Sequence, residues 1–211
     1  MAHELGIRVK KRLINERKTS DKEEGQQNSL CIPRTIEGVQ AYKFWDIFIF
    51  GHKGTMYEGC IFHAEIEIPQ KYSLEPPKMK FLTKIFHPNV YVSGKVCISI
   101  LHTAQDDPTQ YTPANLLWSP VHTIDSITMS VISILTDPNP DSPANIDASN
   151  ALLADKEQFQ KDARAIALKE TEKARKALTT YNIEEKLIKR EKVDDFLKYD
   201  LSNKELPKSD L

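Results

Sequence analysis

The stretch Ile61-Phe62-His63-Ala64-Glu65-Ile66-Glu67-Ile68 alternates Phe62, Ala64, Ile66 and Ile68 with Ile61, His63, Glu65 and Glu67. A two-residue period sends the two sets to opposite faces of a β-strand, so it predicts a strand with one apolar side and a mostly polar outer side. Upstream, residues 42–50 are rich in aromatics and isoleucine around Asp46 and predict a second strand. Gly51-His52-Lys53-Gly54 supplies turn chemistry between the two, and Met79-Lys80-Phe81-Leu82-Thr83 predicts a further short strand downstream. Successive strands joined this way form an antiparallel meander.

Helical periodicity flanks the strands. Residues 5–18 mix Leu5, Ile7, Val9, Leu13 and Ile14 with Arg8, Lys10, Lys11, Arg12, Arg17 and Lys18, the pattern of an amphipathic helix with a basic face. Within 121–135, Ile124, Ile127, Val131 and Ile134 or Leu135 recur every three or four residues, which predicts a buried helix against the sheet, ended by Pro138. Two more helices are expected, from about Asp147 to Ala154 and from about Lys156 to Lys176, the latter with Phe159, Ala163 and Ile166 on one face. The whole is an α+β fold. Residues 1–176 are expected to form one domain, and 177–211 a C-terminal extension. In that extension Ile183, Leu187, Val193, Phe196 and Leu197 give weak helical periodicity, consistent with a partner helix or a partly ordered solvated tail.

Bulk properties narrow the function. With 211 residues the chain is long enough to close a hydrophobic core, and a net charge of -1 argues against a generally nucleic-acid-binding surface. Cys31, Cys60 and Cys97 show no CxxC pairing, which points to a reducing compartment and not to a disulfide framework or zinc finger. The start Met-Ala-His-Glu-Leu lacks a basic, then apolar, signal, and no apolar run approaches the length of a bilayer span. A cytoplasmic or nuclear protein without direct membrane insertion is expected.

One segment carries chemistry. His87-Pro88-Asn89 is followed by Val90-Tyr91-Val92-Ser93-Gly94-Lys95-Val96-Cys97, which sets an amide close in sequence to a thiol. A thiolate attacking an acyl carbon creates an oxyanion that needs a donor, and the Asn89 side chain offers two N–H groups without charge. Taken alone the triplet also suits a turn beside a buried cysteine. A cysteine-protease arrangement is disfavoured, because His87 and Asn89 lie on one turn where neither readily orients the other, and no Gly-rich segment flanks Cys97. A metal site from His87, Cys97, His102 and Asp106 matches no established ligand spacing, so no metal is expected.

Three further motifs stand in order around this segment: Tyr72-Ser73-Leu74-Glu75-Pro76-Pro77-Lys78, Trp118-Ser119-Pro120, and Asp137-Pro138-Asn139-Pro140-Asp141-Ser142-Pro143. Together, from about residue 5 to about residue 175, the chain resembles the ubiquitin-conjugating enzymes. The resemblance implies a four-stranded meander with an N-terminal helix, a central buried helix and C-terminal helices. It implies that Cys97 takes the ubiquitin C-terminus from a ubiquitin-activating enzyme as a thioester and passes it to a lysine amine with a ligase, with Asn89 as the oxyanion or loop-stabilising amide. His87 and Pro88 would be structural. No cofactor is implied, ATP being consumed by the activating enzyme upstream. Arg8, Lys11 and Arg12 would dock that enzyme, and Leu74, Ser119, Pro120 and Val121 the ligase.

Two departures from the commoner family pattern matter. Ser142 stands where most members have an aspartate, and a neutral hydroxyl is no competent base for an acceptor lysine. The interval between Cys97 and Trp118 is also longer than usual, forming a loop from about His102 to Leu117 that carries Asp106 and Asp107 and no Lys or Arg. Carboxylates there would attract a cationic lysine. The serine, the loop and the segments Cys97-Ile98-Ser99-Ile100-Leu101-His102 and Asp106-Asp107-Pro108 resemble the family's long-loop subgroup. Its members work with cullin-based or endoplasmic-reticulum quality-control ligases, RING-type partners, and build ubiquitin chains that mark proteins for degradation. Two rival readings are a carrier for another ubiquitin-like modifier and a non-catalytic ubiquitin-binding scaffold.

Overall fold

The computed structural model describes residues 5–20, 28–36, 39–106 and 112–181. Its elements run α1 (Ile7–Ser20), β1 (Ser29–Ile36), β2 (Val39–Phe50), β3 (Ile61–Glu67), β4 (Lys78–Phe81), α2 (Ile124–Thr136), α3 (Ile146–Ala154) and α4 (Lys156–Thr180). The strands form one sheet in the order β1-β2-β3-β4, each pair antiparallel, so the meander is a four-stranded one in an α+β fold.

The period-two reading of β3 places Phe62, Ala64 and Ile66 in the main core, together with Trp45, Ile47 and Ile49 from β2. β2 is buried on both faces over Trp45–Phe50, which is why its sequence is a nearly continuous apolar run around Asp46. Against the inner face lies α2, with Ile124, Ile127, Val131 and Leu135 buried. A reciprocal cap starts it: Thr123 Oγ1 accepts from the Ser126 N–H and Ser126 Oγ from the Thr123 N–H.

β1 was not legible in the sequence. Pro33 and Arg34 interrupt its apolar residues, and the register with β2 shifts between Pro33 and Thr35. An edge strand tolerates such a proline, because one side of its backbone needs no partner. The β2–β3 connection is longer than the Gly51–Gly54 turn, continuing through turns to Cys60.

α4 runs four residues beyond the expected Lys176. Its first half joins the main core through Phe159, Ala163 and Ala167; Ala174 and Leu178 join a second cluster with Ile32, Phe48, Phe50 and Ile61 on the outer face of the sheet. Phe48 is fully buried there, which contributes about 2–3 kcal/mol. Its ring stacks on His63 at 4.6 Å and meets Tyr181 edge-on at 5.9 Å. Ile183, Leu187, Val193, Phe196 and Leu197 lie outside the described residues, as does Asp107.

Candidate functional site

Cys97 is delivered by a short hairpin after β4. Gly94 closes its turn at φ +88°, donating its N–H to Tyr91 O at 2.7 Å while its own carbonyl accepts from Phe81 N at 2.8 Å. A Cβ at Gly94 would meet Phe81 O at 2.3 Å, so only glycine fits. The Cys97 N–H then donates to Asn89 O at 3.0 Å, which ties the thiol to the His87-Pro88-Asn89 turn.

That turn is built from the inside. His87 is fully buried; its Nδ1 accepts from the Asn89 N–H at 3.0 Å and its Nε2 donates to Ile134 O on α2, also at 3.0 Å. Burial outweighs the carbonyl partner and lowers His87 to about 4, so the ring is neutral and serves as a strut. Pro88 O accepts from the N–H groups of Ala144 and Asn145 at 2.8 and 2.9 Å.

Asn89 is 3 % exposed and spends its amide on the 139–142 segment. Nδ2 donates to Asn139 O at 2.8 Å and to Ser142 O at 3.5 Å, and Oδ1 accepts from the Asn139 N–H at 2.9 Å. Its amide thus ties the turn to the 139–142 segment.

A cleft of about 440 Å³ opens beside the thiol, bounded by Asn89, Cys97, His102, Asp106, Leu117 and Ser142 among others. His102 Nε2 stands 3.6 Å from Cys97 Sγ, held there by backbone bonds from His102 N to Ser99 O at 2.9 Å and from Trp118 N to His102 O at 2.8 Å. The long loop is shaped by 3₁₀ turns at Ser99–Leu101, Ala104–Asp106 and Ala114–Leu116. Asp106 Oδ2 accepts from Thr103 N and Thr103 Oγ1, both at 2.7 Å, and these bonds hold its carboxylate below the usual range. Ser142 is exposed on the opposite rim.

Tyr91 is a site residue that the sequence reading passed over, although it lies inside the quoted motif. It is 41 % exposed, and the neighbouring Cys97 sulfur pushes its phenol up. Its ring lies under the Lys95 ammonium at 5.9 Å.

The other two thiols are set apart by their surroundings. Burial pushes Cys31, against Thr128 Oγ1 at 3.6 Å, up to about 12 and Cys60 up to about 11. Among the described residues no group of three or more His, Cys, Asp or Glu side chains is arranged to hold a metal ion, and no helix is long and apolar enough to cross a membrane.

Further out, Leu74 and Val121 are 74 % and 77 % exposed in two surface loops, with Ser119 half-buried and Pro120 exposed between Trp118 and Val121. Trp118 Nε1 donates to Ser73 O at 3.0 Å and joins the two loops. On α1, Arg8 and Lys11 are exposed; Arg12, placed on the same docking face by the sequence, instead turns its guanidinium onto Glu16, Ser73, Pro120 and His122.

Residues 12–167 match the family described as ubiquitin-conjugating enzyme. The chain is similar to ubiquitin-conjugating enzyme E2 15 of Schizosaccharomyces pombe, 48 % identical over 128 residues that cover 61 % of this chain and 77 % of that protein. It is similar also to ubiquitin-conjugating enzyme E2 13 of Arabidopsis thaliana, 46 % identical over 56 % of this chain and 70 % of the relative. Human ubiquitin-conjugating enzyme E2 G2 is 46 % identical over 59 % of this chain and 76 % of its own length. The match spans the sheet, the thiol hairpin and most of the helical layer, and the chain therefore belongs to the ubiquitin-conjugating enzyme family and is an enzyme that works through a cysteine thioester.

Proposed function

We propose that Cys97 is the thiol that carries ubiquitin. The observation behind this is the setting of Cys97: its thiol borders a cleft of about 440 Å³ with an imidazole at 3.6 Å, whereas burial pushes Cys31 and Cys60 up. The Cys97 thiolate attacks the carbonyl of the ubiquitin C-terminus held on the activating enzyme, whose own thiolate departs. A lysine amine then attacks the new thioester, loses a proton and releases Cys97. The thioester supplies the driving force, so the residues around it have chiefly to position the amine.

Four residues divide that task in this reading. Asn89 holds the 139–142 rim in place. His102 presents a ring nitrogen to the sulfur, and Asp106 offers a carboxylate on the rim where Ser142 cannot act as a base. Asp107 is proposed as a second carboxylate of the same loop. A cationic lysine is drawn in by such charge, which also tends to keep its proton on, so the loop favours positioning over deprotonation.

The long loop and Ser142 support placement in the long-loop subgroup, with a RING-type or cullin-based ligase and the building of ubiquitin chains that direct proteins to degradation. Leu74, Ser119, Pro120 and Val121 form the proposed ligase surface, and Arg8 and Lys11 the basic face for the activating enzyme. No dissociable cofactor is proposed, and three free thiols favour a reducing, cytoplasmic or nuclear setting.

A single-round chase tests the reading. Protein loaded with ubiquitin is mixed with free ubiquitin as acceptor, and loss of the thioester and growth of diubiquitin are timed. Replacing Asp106 and Asp107 together by Ala is expected to slow diubiquitin formation about tenfold while loading changes less than about twofold. Equal slowing of both steps would remove the loop carboxylates from acceptor positioning.

A further inference from the structure

The guanidinium of Arg12 reaches three separate segments. Nε donates to Glu16 Oε1 at 2.7 Å within α1, one terminal nitrogen donates to Ser73 Oγ at 3.0 Å, and the other donates to Pro120 O at 2.7 Å and His122 O at 3.0 Å. Its carbon lies 5.3 Å from the centre of the Tyr72 ring. Glu16 extends the knot: it accepts from Tyr72 OH through both carboxylate oxygens at 3.0 Å and from the Ile124 N–H at 3.3 Å, where α2 begins.

The two loops so gripped are those that present Leu74 and Val121. Neither loop is a strand or helix; beside this knot they are joined by the Trp118 Nε1 bond to Ser73 O and by the Tyr72 and Trp118 rings, 5.9 Å apart. A planar guanidinium has five N–H donors in a fixed fork, and here four bonds use that fork; a lysine ammonium carries the same charge on a flexible stem and cannot hold the same set of acceptors. Loops held in their binding geometry before a partner arrives spare the association that ordering cost.

We infer that Arg12 is a positioning residue for ligase engagement, fixing the distance between the Leu74 and Val121 loops from a seat on α1. The inference rests on the proposal above that these loops form the ligase surface. It makes α1 a shared part: its exposed Arg8 and Lys11 face outward while Arg12, between α1 and the loops, sets the second surface.

The full chain is tested as the parent and with Arg12→Lys, Arg12→Gln and Ser73→Ala. The probe is a purified RING domain chosen beforehand because it accelerates discharge of ubiquitin from the loaded parent to free lysine. Two quantities are read, the RING concentration giving half of the maximal acceleration and the discharge rate at saturating RING; the Trp118 indole N–H resonance is followed in the free protein. Both Arg12 variants are expected to raise the half-saturating concentration about tenfold, with a much smaller effect on the saturating rate and a shifted Trp118 resonance. Ser73→Ala, which removes one spoke and leaves α1 untouched, gives a smaller shift in the same direction. If Arg12→Lys restores the parent value, Arg12 acts as a charge toward the partner and the inference fails. It fails too if Arg12→Gln keeps the parent value, or if the saturating rate falls by as large a factor as the half-saturating concentration rises. A paired Leu74→Ala, Val121→Ala chain separates the two levels. Loss of RING response in that chain with intact Arg12 variants sinks the positioning role alone, and an undiminished response sinks the ligase surface and the inference with it.

Discussion

His87 sits where a proton is costly. Burial lowers it to about 4, whereas an unfolded histidine titrates near ~6.5, so between those values the unfolded chain binds a proton that the folded chain refuses. Stability should therefore fall as pH drops from about 7 to about 4, by about 3 kcal/mol across the window, and level off below it. Urea titrations at several pH values check this, and the slope should shrink by that amount in His87→Gln. Asn89 is decided at the same scale. Since its amide is bonded to Asn139 and Ser142, Asn89→Ala removes the side-chain partner of their backbone groups and should lower Tm by about 5 °C, with discharge slowing as the 139–142 rim loosens. An unchanged Tm with collapsed discharge to free lysine would instead make Asn89 an oxyanion donor. Both residues were legible as members of a motif, but their bonds were not: the partners lie some fifty positions away, on α2 and on the loop after it.

At the level of elements, the last turns of α4 are bound to the outer face of the sheet through a buried carboxylate. Asp46 is 1 % exposed; it accepts from Arg34 Nε and Nη2, each at 2.9 Å, pairs with His63 Nε2 at 2.7 Å, and accepts a bond from the Tyr181 hydroxyl. Burial by itself would raise its pKa, but His63, Arg34 and Tyr181 together hold it well below the usual carboxylate range. The stability this contributes is present above the ordinary carboxylate pKa of ~3.9 and is lost as pH falls below it. Asp46→Asn should cost about 2 kcal/mol in urea melts at pH 7, because the buried carboxylate shared by Arg34, His63 and Tyr181 is lost while Arg34 keeps only Glu65 at 2.7 Å, and should free the end of α4 for proteolysis near Tyr181. A loss below about 1 kcal/mol would show that the cluster contributes little. The sequence gives no hint of this attachment beyond an aspartate inside an apolar strand. The periodicity of α4 marks Phe159, Ala163 and Ile166 as one face, whereas the structure turns Ala167 and not Ile166 into the core, and the later switch to a second apolar surface at Ala174 and Leu178 has no signature in a single period. α2 was the clearest element, since its 3.6-residue stripe coincides with a single buried face.

For the whole molecule, a meander packed on α2 positions a hairpin, a turn and a loop so that the Cys97 thiol borders a cleft of about 440 Å³. The order of motifs around Cys97 made the family legible, because each motif is local: a turn, a hairpin, a Trp-Ser-Pro corner. β1 was hidden by Pro33, and Arg12 looked like one more cation on a basic face until the loops it grips were brought beside it. The central claim is that Cys97 carries ubiquitin. Its most direct test is a non-reducing gel of the full chain with ubiquitin, a ubiquitin-activating enzyme and ATP, run beside Cys97→Ala and a thiol-treated lane. A heavier band that disappears with thiol and is missing from Cys97→Ala, yet persists in Cys31→Ala and Cys60→Ala, is the predicted result; a thiol-sensitive band that survives Cys97→Ala, or no band from folded protein while a control carrier loads, would contradict it.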